Sequence, residues 1–237
     1  ILTAEDEEDL DSIKKTRSTM QEATSQEMNE LDNLTEQEAF ELAEVLKKKL
    51  DDQETPENDQ ALIQQMVRGL GDHRGALRLT FAQSLGNIGE DAIPYLCDAM
   101  KNDPNVIIRR ASAKTLNLIG SKKALPNLVE AFKTDQDPVV QGSSAGAMAT
   151  IGEPAIDELL KILVDPGCTA FQVGLINLAL SFIGAKAPDA FNQATLSENI
   201  EIRIAAITVL AEQIQARTNS SAKKALLNAL SDDASEV

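Results

Sequence analysis

The chain has 237 residues, a formal net charge of −16 and a single histidine. Hydrophobic residues make up 43% of it and aromatic residues 3%, and its bias towards Ala and Leu favours stacked helices over a β-sandwich. Its acidic balance does not supply the positive charge with which proteins bind nucleic acid or anionic membranes, so we expect neither partner. A protein partner with a basic or neutral surface is expected instead.

The two cysteines, Cys97 and Cys168, lie far apart without CxxC spacing, so the sequence supports neither a zinc site nor a disulfide framework. We therefore predict no metal site and a reducing compartment. No apolar run reaches the roughly 18 residues of a membrane span, so no membrane insertion is expected. Because the first residue is not Met, a removed leader or transit peptide is left open, as is a truncated repeat array at the other end.

The N-terminal part is strongly acidic, since residues 1–60 carry 19 acidic and 6 basic side chains. We expect residues 1–33 to be extended or loosely docked, because their apolar positions are too sparse for a continuous stripe. A solvated segment, an autoinhibitory segment and a partner-recognition arm are all left open. Residues 34–59 are expected to form a capping helix and a linker: Thr35-x-x-Glu38 predicts a capping box that starts a helix over 35–50.

Four Ile-Gly pairs recur at intervals of 31, 32 and 32 residues: Ile88-Gly89, Ile119-Gly120, Ile151-Gly152 and Ile183-Gly184. Seven residues before the first three glycines stand Ala82, Ala113 and Ala145. A shared register with this period indicates a helical solenoid. Each glycine is expected to end a helix in the left-handed conformation, and the alanines are expected to let neighbouring helices approach closely.

From residue 60 onward, the pattern predicts that each unit contains a first helix, a short turn and a second helix that ends at Ile-Gly. The predicted first helices are 60–70, 91–101, 123–133, 154–163, 187–196 and 220–230, and the predicted second helices are 74–88, 105–119, 138–151, 169–183 and 200–214. Asp103-Pro104, Asp137-Pro138 and Asp165-Pro166 are interpreted as equivalent turns in which Asp caps the second helix. The predicted fold class is all-α, with about five and a half repeats over residues 60–237.

The segments 103–120 and 137–152, each with an Asp-Pro turn and an Ile-Gly end, resemble HEAT-like repeats, especially those of the phycobilisome-lyase HEAT-like family. The resemblance covers about residues 60–237 and implies a right-handed α-solenoid of HEAT-like helical pairs. The acidic helical N-terminal extension expected before residue 60 lies outside the resemblance. The family includes the E and F subunits of heterodimeric phycocyanobilin lyases and a phycobilisome-degradation protein. The resemblance therefore implies a protein that handles phycobiliproteins, but it carries over no catalytic motif, and no catalytic residue is assigned.

Six polar side chains stand near the start of the predicted second helices: Arg78, Arg109, Arg110, Gln141, Gln172 and Arg203. They are candidates for partner binding on the concave face, where arginines hold carboxylates of a protein or propionates of a bilin by bidentate contacts. The alternative is a structural ladder, in which the arginines pair with aspartates of the turns such as Asp72, Asp103 and Asp137.

Cys168 precedes a predicted helix whose dipole would favour the thiolate, so it is a candidate reactive thiol, with an unreactive cysteine as the alternative. Cys97 is expected in the core and His73 in a solvated turn. The run Gly142-Ser143-Ser144-Ala145-Gly146 lies in a predicted helix without a preceding strand, which excludes a phosphate-binding loop.

We expect a non-catalytic scaffold or chaperone-like assembly factor that grips a folded protein on its concave face, by resemblance a phycobiliprotein or another photosynthetic complex. The alternative is an enzyme, namely a bilin lyase subunit or a bilin-detaching factor that acts on phycobiliproteins. No cofactor is expected under the first hypothesis, and a bilin is expected under the second. The resemblance implies a location in the cyanobacterial cytoplasm or chloroplast stroma, or at the thylakoid surface.

Overall fold

The computed structural model describes residues 35–54, 56, 59–191, 194–216, 220–230 and 232, and all regular elements within these ranges are helical. The predicted extension at residues 1–33 lies outside them. The α-helices are α1 (Glu36–Asp51), α2 (Gln60–Gly69), α3 (Gly75–Ile88), α4 (Ile93–Asn102), α5 (Val106–Ile119), α6 (Leu125–Thr134), α7 (Pro138–Ile151), α8 (Ile156–Leu163), α9 (Ala170–Lys186), α10 (Ile200–Ala216) and α11 (Ser220–Ala229).

Helix α1 begins at the predicted capping box. The Thr35 N–H donates to the Glu38 carboxylate at 2.9 Å, and the Glu38 N–H donates to the Thr35 hydroxyl at 3.3 Å. Ala39 and Leu46 are buried where α1 packs against α3. Helix α1 thus covers the apolar side of the first helical pair, which a stack of repeats otherwise leaves exposed.

The predicted second helices form as α3, α5, α7, α9 and α10, and neighbours among them pack directly on one another. The first helices α2, α4, α6 and α8 form a second layer, whose members contact one another less. A row of helical pairs in which one layer is packed more closely bends towards that layer. We call the surface of α3, α5, α7 and α9 that points away from the first helices the inner face, since the closer packing of the second helices favours curvature towards them.

The apolar columns of the repeat lie in the core. Four residues before each glycine of the Ile-Gly pairs, the side chains are fully or almost fully buried: Leu85, Leu116, Met148 and Leu180. Of the alanine column, Ala113 and Ala145 are buried and Ala82 is half-buried against the core. Small side chains at these positions allow the close packing of α5 and α7 on each other.

The prediction of a first helix over 187–196 is wrong. Two short 3₁₀ segments, Pro188–Phe191 and Ala194–Leu196, replace it, and Phe191 is fully buried in its place. Helix α9 runs past the fourth Ile-Gly pair to Lys186 and ends where Ala187, the residue before a proline, leaves the helical region with φ −132° and ψ 71°. The 13 residues between α9 and α10 contain only two large apolar side chains, Phe191 and Leu196, which is too few for the apolar stripe of a packed helix.

The glycines of the Ile-Gly pairs are only partly equivalent. Gly89, Gly120 and Gly152 have positive φ, at 74°, 63° and 85°, as expected for a residue that ends a helix. Only Gly120 is left-handed, with ψ 20°, whereas Gly89 and Gly152 have ψ near −130°, a conformation open almost only to glycine. Gly184 lies within α9, so the expectation that it ends a helix is wrong.

Among the described residues, no single helix has the length and apolar composition needed to cross a membrane. Helix α9 has that length and composition only when it is taken together with the segment Asp189–Leu196, and the two segments meet at a bend of 120°.

Candidate functional site on the inner face

The turns between paired helices share one hydrogen-bond pattern. A side-chain oxygen accepts from the backbone N–H two residues later, at 2.8 to 3.2 Å, in five successive units: Asp72, Asp103, Asp135, Asp165 and Ser197. This is an Asx-type turn, in which a short polar side chain takes the place of a backbone acceptor. Asp103 is therefore equivalent to Asp135 and not to Asp137.

The prediction that Asp103 and Asp165 cap second helices is wrong, because the caps follow later in each turn. Asn105 caps α5, and Thr169 caps α9 in a capping box with Gln172. Asp137 is the one of the three Asp-Pro aspartates that caps a helix, and it accepts from the N–H groups of Val139 and Val140 at 3.0 Å each.

The long polar side chains four residues after each cap reach back to the turn. Arg78, Arg109 and Arg203 donate to the carbonyl oxygen six residues earlier at 2.6, 3.2 and 2.9 Å, and Gln141 does the same at 2.6 Å. In α9 this place is taken by Val173, not by Gln172 as the sequence suggested. Arg78, Arg109, Gln141 and Arg203 thus each close the turn of their own unit.

Two arginines of this column also link one unit to the next. The Arg109 guanidinium donates to the Asp135 carboxylate at 2.9 and 3.4 Å, and Arg203 donates to Asp232 at 2.8 and 2.9 Å. The side chains of Arg109 and Asp135 are only 20% and 9% exposed. The edge of Arg109 that could hold an external carboxylate is thus occupied within the chain, and a partner-binding role for these arginines stays a prediction.

Arg110 lies one residue after the column and holds the cap of the next helix. It donates to both oxygens of Asp137, at 2.9 and 2.6 Å. This pairing, together with the N–H groups of Val140 and Val139, lowers the pKa of Asp137 to about 2. By contrast, burial raises the pKa of Asp103, against the lowering effect of the Asn105 N–H and the Arg109 charge.

Gln172 does not reach the inner surface. Its side chain is 6% exposed, its Nε2 donates to the Phe132 carbonyl at 3.0 Å, and its Oε1 accepts from the Thr169 N–H at 3.0 Å. It thus joins the start of α9 to the end of α6. A direct contact with a partner, as predicted from sequence, is incompatible with this burial.

The thiols and the imidazole differ in their surroundings. Burial raises the pKa of Cys97 to about 11, in line with its expected core position. Burial and the nearby Asp165 charge raise the pKa of Cys168, which is opposite to the shift expected from the helix dipole; a chemical role for this thiol stays untested. His73 is exposed, as predicted, with its Nδ1 3.8 Å from Asp72. Nowhere in the described part of the chain do three His, Cys, Asp or Glu side chains converge as metal ligands.

An apolar groove of about 350 Å³ lies on the inner face between α5, α7 and α9, and sequence analysis did not identify it. Its floor is α7, with small residues at Gly142, Ala145, Gly146 and Ala149. Its long wall is α9, and the remaining rim is polar. The residues of wall and rim are Leu175, Leu178, Ala179, Phe182, Asn117 and Thr150. We call this the inner groove.

Large apolar side chains stand exposed in and beside the inner groove. Leu178 is 69% exposed and Phe182 45% within it, and Leu118 is 61% exposed on α5. Leu79 on α3 is 57% exposed. Clustered exposed apolar side chains mark binding surfaces more often than single ones do. The ammonium group of Lys186 lies 4.2 Å from the centroid of the Phe182 ring and brings a positive charge to this wall.

Comparison with known proteins agrees with this architecture. HEAT repeats match residues 41–117, 60–149 and 93–170, which together span more than half of the chain. The chain is also 64% identical over 214 residues to the bilin biosynthesis protein MpeU of Synechococcus sp. (strain WH8020), over 90% of this chain and 72% of that protein. The chain belongs to the HEAT-repeat proteins and, among them, to the family of MpeU.

Among solved structures, the chain resembles the complex of CpcE and CpcF of phycocyanin lyase from Nostoc sp. PCC7120. The identity is 22%, the TM-score is 0.48, and the match covers 73% of this chain and 100% of the matched chain in that structure.

The family membership corrects the expected function. A non-catalytic scaffold or chaperone-like factor was the leading expectation from sequence, and it is wrong, because the relative with 64% identity is a bilin biosynthesis protein. The fold expectation, an all-helical stack of HEAT repeats, is confirmed.

Proposed function

We propose that this chain takes part in the covalent attachment of bilins to phycobiliproteins, as a bilin lyase or as one subunit of such a lyase. The observation that carries the proposal is the 64% identity with the bilin biosynthesis protein MpeU over 90% of the chain. Identity at this level extends well beyond the buried columns that repeats share, because the buried residues are only a small part of the chain. It therefore supports a common task more strongly than a shared repeat architecture does.

Bilin attachment requires the protein to position the two reactants; it does not require a strong acid, a strong base or an oxidant. When an acceptor cysteine adds across a carbon–carbon double bond of a bilin, sulfur bonds to one carbon and the thiol hydrogen goes to the tetrapyrrole. Atoms and electrons balance without a co-reactant. Holding pigment and acceptor in one geometry is by itself a large contribution to the rate of such a bimolecular step.

The inner face suits this positioning task. A bilin combines a long conjugated apolar body with two carboxylates, and the inner groove combines apolar walls with the nearby Lys186. The curved row of second helices on either side of the groove provides a surface on which a folded acceptor could dock. The acceptor in this proposal is a phycobiliprotein subunit, and the reaction would take place in the cyanobacterial cytoplasm, at or near the thylakoid surface.

The name of the relative favours attachment over detachment of bilins, since it refers to biosynthesis. Removal of the gene from its source organism separates the two directions. Intact phycobiliprotein subunits are then weighed by mass spectrometry, with a complemented strain as the control. Attachment predicts a subunit population lacking one bilin mass, and complementation restores the bilin. Subunits with unchanged or higher bilin occupancy would overturn the proposal.

A further inference from the structure

The inner groove between α5, α7 and α9 has the lining and the charge of a ligand site. We propose that it seats the bilin itself, with part of the conjugated tetrapyrrole against Phe182 and Leu178 and one propionate at Lys186. This inference rests on the proposed function and names the place at which the pigment is held. It also assigns a role to two glycines that the fold does not require.

The size of the groove suits part of an extended planar ligand. Its volume of about 350 Å³ lies at the lower end of the roughly 300 to 1,000 Å³ typical of ligand pockets. A tetrapyrrole seated there would be held over part of its length, and the rest would stay open towards the inner face. This arrangement suits a protein that must present the reacting end of a pigment to an acceptor.

The floor of the groove is deeper than helix packing requires, because two glycines stand where alanine would fit. Gly142 and Gly146 lie in the interior of α7, where glycine is less favourable than alanine. A Cβ built on Gly142 would meet its nearest heavy atom, on Leu175, at 3.9 Å, and a Cβ on Gly146 would meet Asn117 at 3.7 Å. Both are ordinary contact distances, so alanine would fit at either position. The absence of side chains keeps the groove open at a cost in helix stability.

The charge at one end selects a carboxylate-bearing ligand. Lys186 lies over the ring of Phe182, and Phe182 lines the groove. A propionate at that end would accept a charge-assisted hydrogen bond from the ammonium group while the attached pyrrole contacts the aromatic ring. The other polar groups of the rim, at Asn117 and Thr150, can hydrogen-bond to pyrrole N–H groups or to the terminal lactam oxygens.

A pigment fits these observations better than a helix of a protein partner. A bound helix is about 10 Å across and is anchored by apolar side chains over several turns. The inner groove is short, and its lining falls on three helices of the chain. A flat conjugated ligand needs only one apolar wall and one aromatic ring against which to stack.

Direct titration tests this seat without any acceptor protein. Biliverdin, an open-chain tetrapyrrole with two propionates, is added to the purified chain, and its absorption and induced circular dichroism are followed. Gly146→Leu fills the floor, and Leu178→Gln changes an exposed wall residue without opening the core. Each is expected to weaken binding by at least about tenfold, equivalent to about 1.4 kcal/mol. Gly75→Leu is the matched control, since it adds the same side chain at the start of α3, where a Cβ would meet only Arg78 at 3.8 Å and which does not line the groove.

The lysine is tested by a change in the ligand. Lys186→Gln is expected to weaken biliverdin binding by about fivefold, equivalent to about 1 kcal/mol, and to leave binding of biliverdin dimethyl ester unchanged. Lys161→Gln makes the same change of net charge on a first helix and should affect neither ligand. Equal losses for the acid and the ester would overturn the role of Lys186.

The outcomes also separate the groove from the proposed function. If the unmodified chain binds biliverdin and both Gly146→Leu and Leu178→Gln bind it equally well, the seat lies elsewhere and the proposed function stands. If the unmodified chain binds no biliverdin, the groove is not the seat. If the chain also transfers no bilin to an acceptor in the presence of a second lyase subunit, the proposed function fails as well.

Discussion

The Nε of Arg109 lies 2.9 Å from an Asp135 carboxylate oxygen in the turn of the next helical pair. The two side chains are 20% and 9% exposed, so the pair is largely shielded from water. We expect Arg109→Met, which keeps the apolar stem, to lower the free energy of unfolding by about 1.5 to 3 kcal/mol, because it leaves a mostly buried carboxylate without its charged donor. The midpoint of urea unfolding measures this loss.

An exposed ion pair between repeats provides the control. Lys123 and Glu90 are 2.6 Å apart and are 66% and 52% exposed. Lys123→Met should leave the midpoint nearly unchanged, because water already screens such a pair. Equal losses for Arg109→Met and Lys123→Met would show that the Arg109 contact does not stabilise the stack.

The low pKa of Asp137 leads us to predict that the folded chain loses stability in acid. The pKa of this carboxylate is about 2 in the folded chain, mainly because Arg110 holds it, and higher in the unfolded chain. A depressed pKa adds stability that is complete above the unfolded value and is lost as pH falls through the folded value. Asp137→Asn keeps a capping oxygen but cannot ionise. Thermal unfolding of both proteins should show the unmodified chain more stable at pH 7 and the difference vanishing near pH 2; a difference that is constant with pH would contradict this role.

Gly152 predicts a penalty that depends on backbone conformation alone. At φ 85° it has no heavy atom within 4 Å of a built Cβ, so alanine would meet strain but no collision. Gly152→Ala should cost about 1 to 3 kcal/mol. Gly174→Ala, in the helical interior of α9 and equally open, should add about 0.5 to 1 kcal/mol instead. Unfolding midpoints that move in the same direction would refute the comparison.

We predict that a substitution at Gln172 lowers the stability of the fold without lowering the activity of the folded chain. Gln172→Leu removes the donor to the buried Phe132 carbonyl and should cost about 1 to 3 kcal/mol. Exposed Gln83 on α3 is the control, and Gln83→Leu should change the stability little. Because Gln172 does not reach the inner face, the folded variant is expected to transfer bilin as well as the unmodified chain. A loss of transfer at a temperature where it remains folded would restore Gln172 as a binding residue.

The helical stack could be predicted because its determinants are local. Two of these determinants act over a few residues: the capping box at Thr35 and Glu38, and the apolar residue four places before each Ile-Gly glycine. The period of 31 to 32 residues then repeats the same local pattern along the chain. The exceptions arose where one local signal competed with another. At Gly184 the helix continued, because a glycine inside a helix costs only about 1 kcal/mol, and it ended at the residue before Pro188 instead.

The site was harder to predict because it depends on the offset between units. The sequence suggested that arginines pair with turn aspartates, but the partner of Arg109 proved to be Asp135, which only the stacking of α5 on α7 brings close. The inner groove likewise combines residues from three helices. Its one local signal was the pair Gly142 and Gly146, one turn apart inside a helix, but the sequence led only to the exclusion of a phosphate-binding loop at this run.

The most direct test of the account is reconstitution of bilin attachment with purified components. The chain, with and without a second lyase subunit, is mixed with phycocyanobilin or phycoerythrobilin and an apo-phycobiliprotein subunit, and the denatured acceptor is weighed. We predict an acceptor that gains the mass of one bilin at one cysteine, faster and with fewer side products than without the chain. An acceptor whose adducts form at the same rate and at the same sites with and without the chain would contradict its role in bilin attachment.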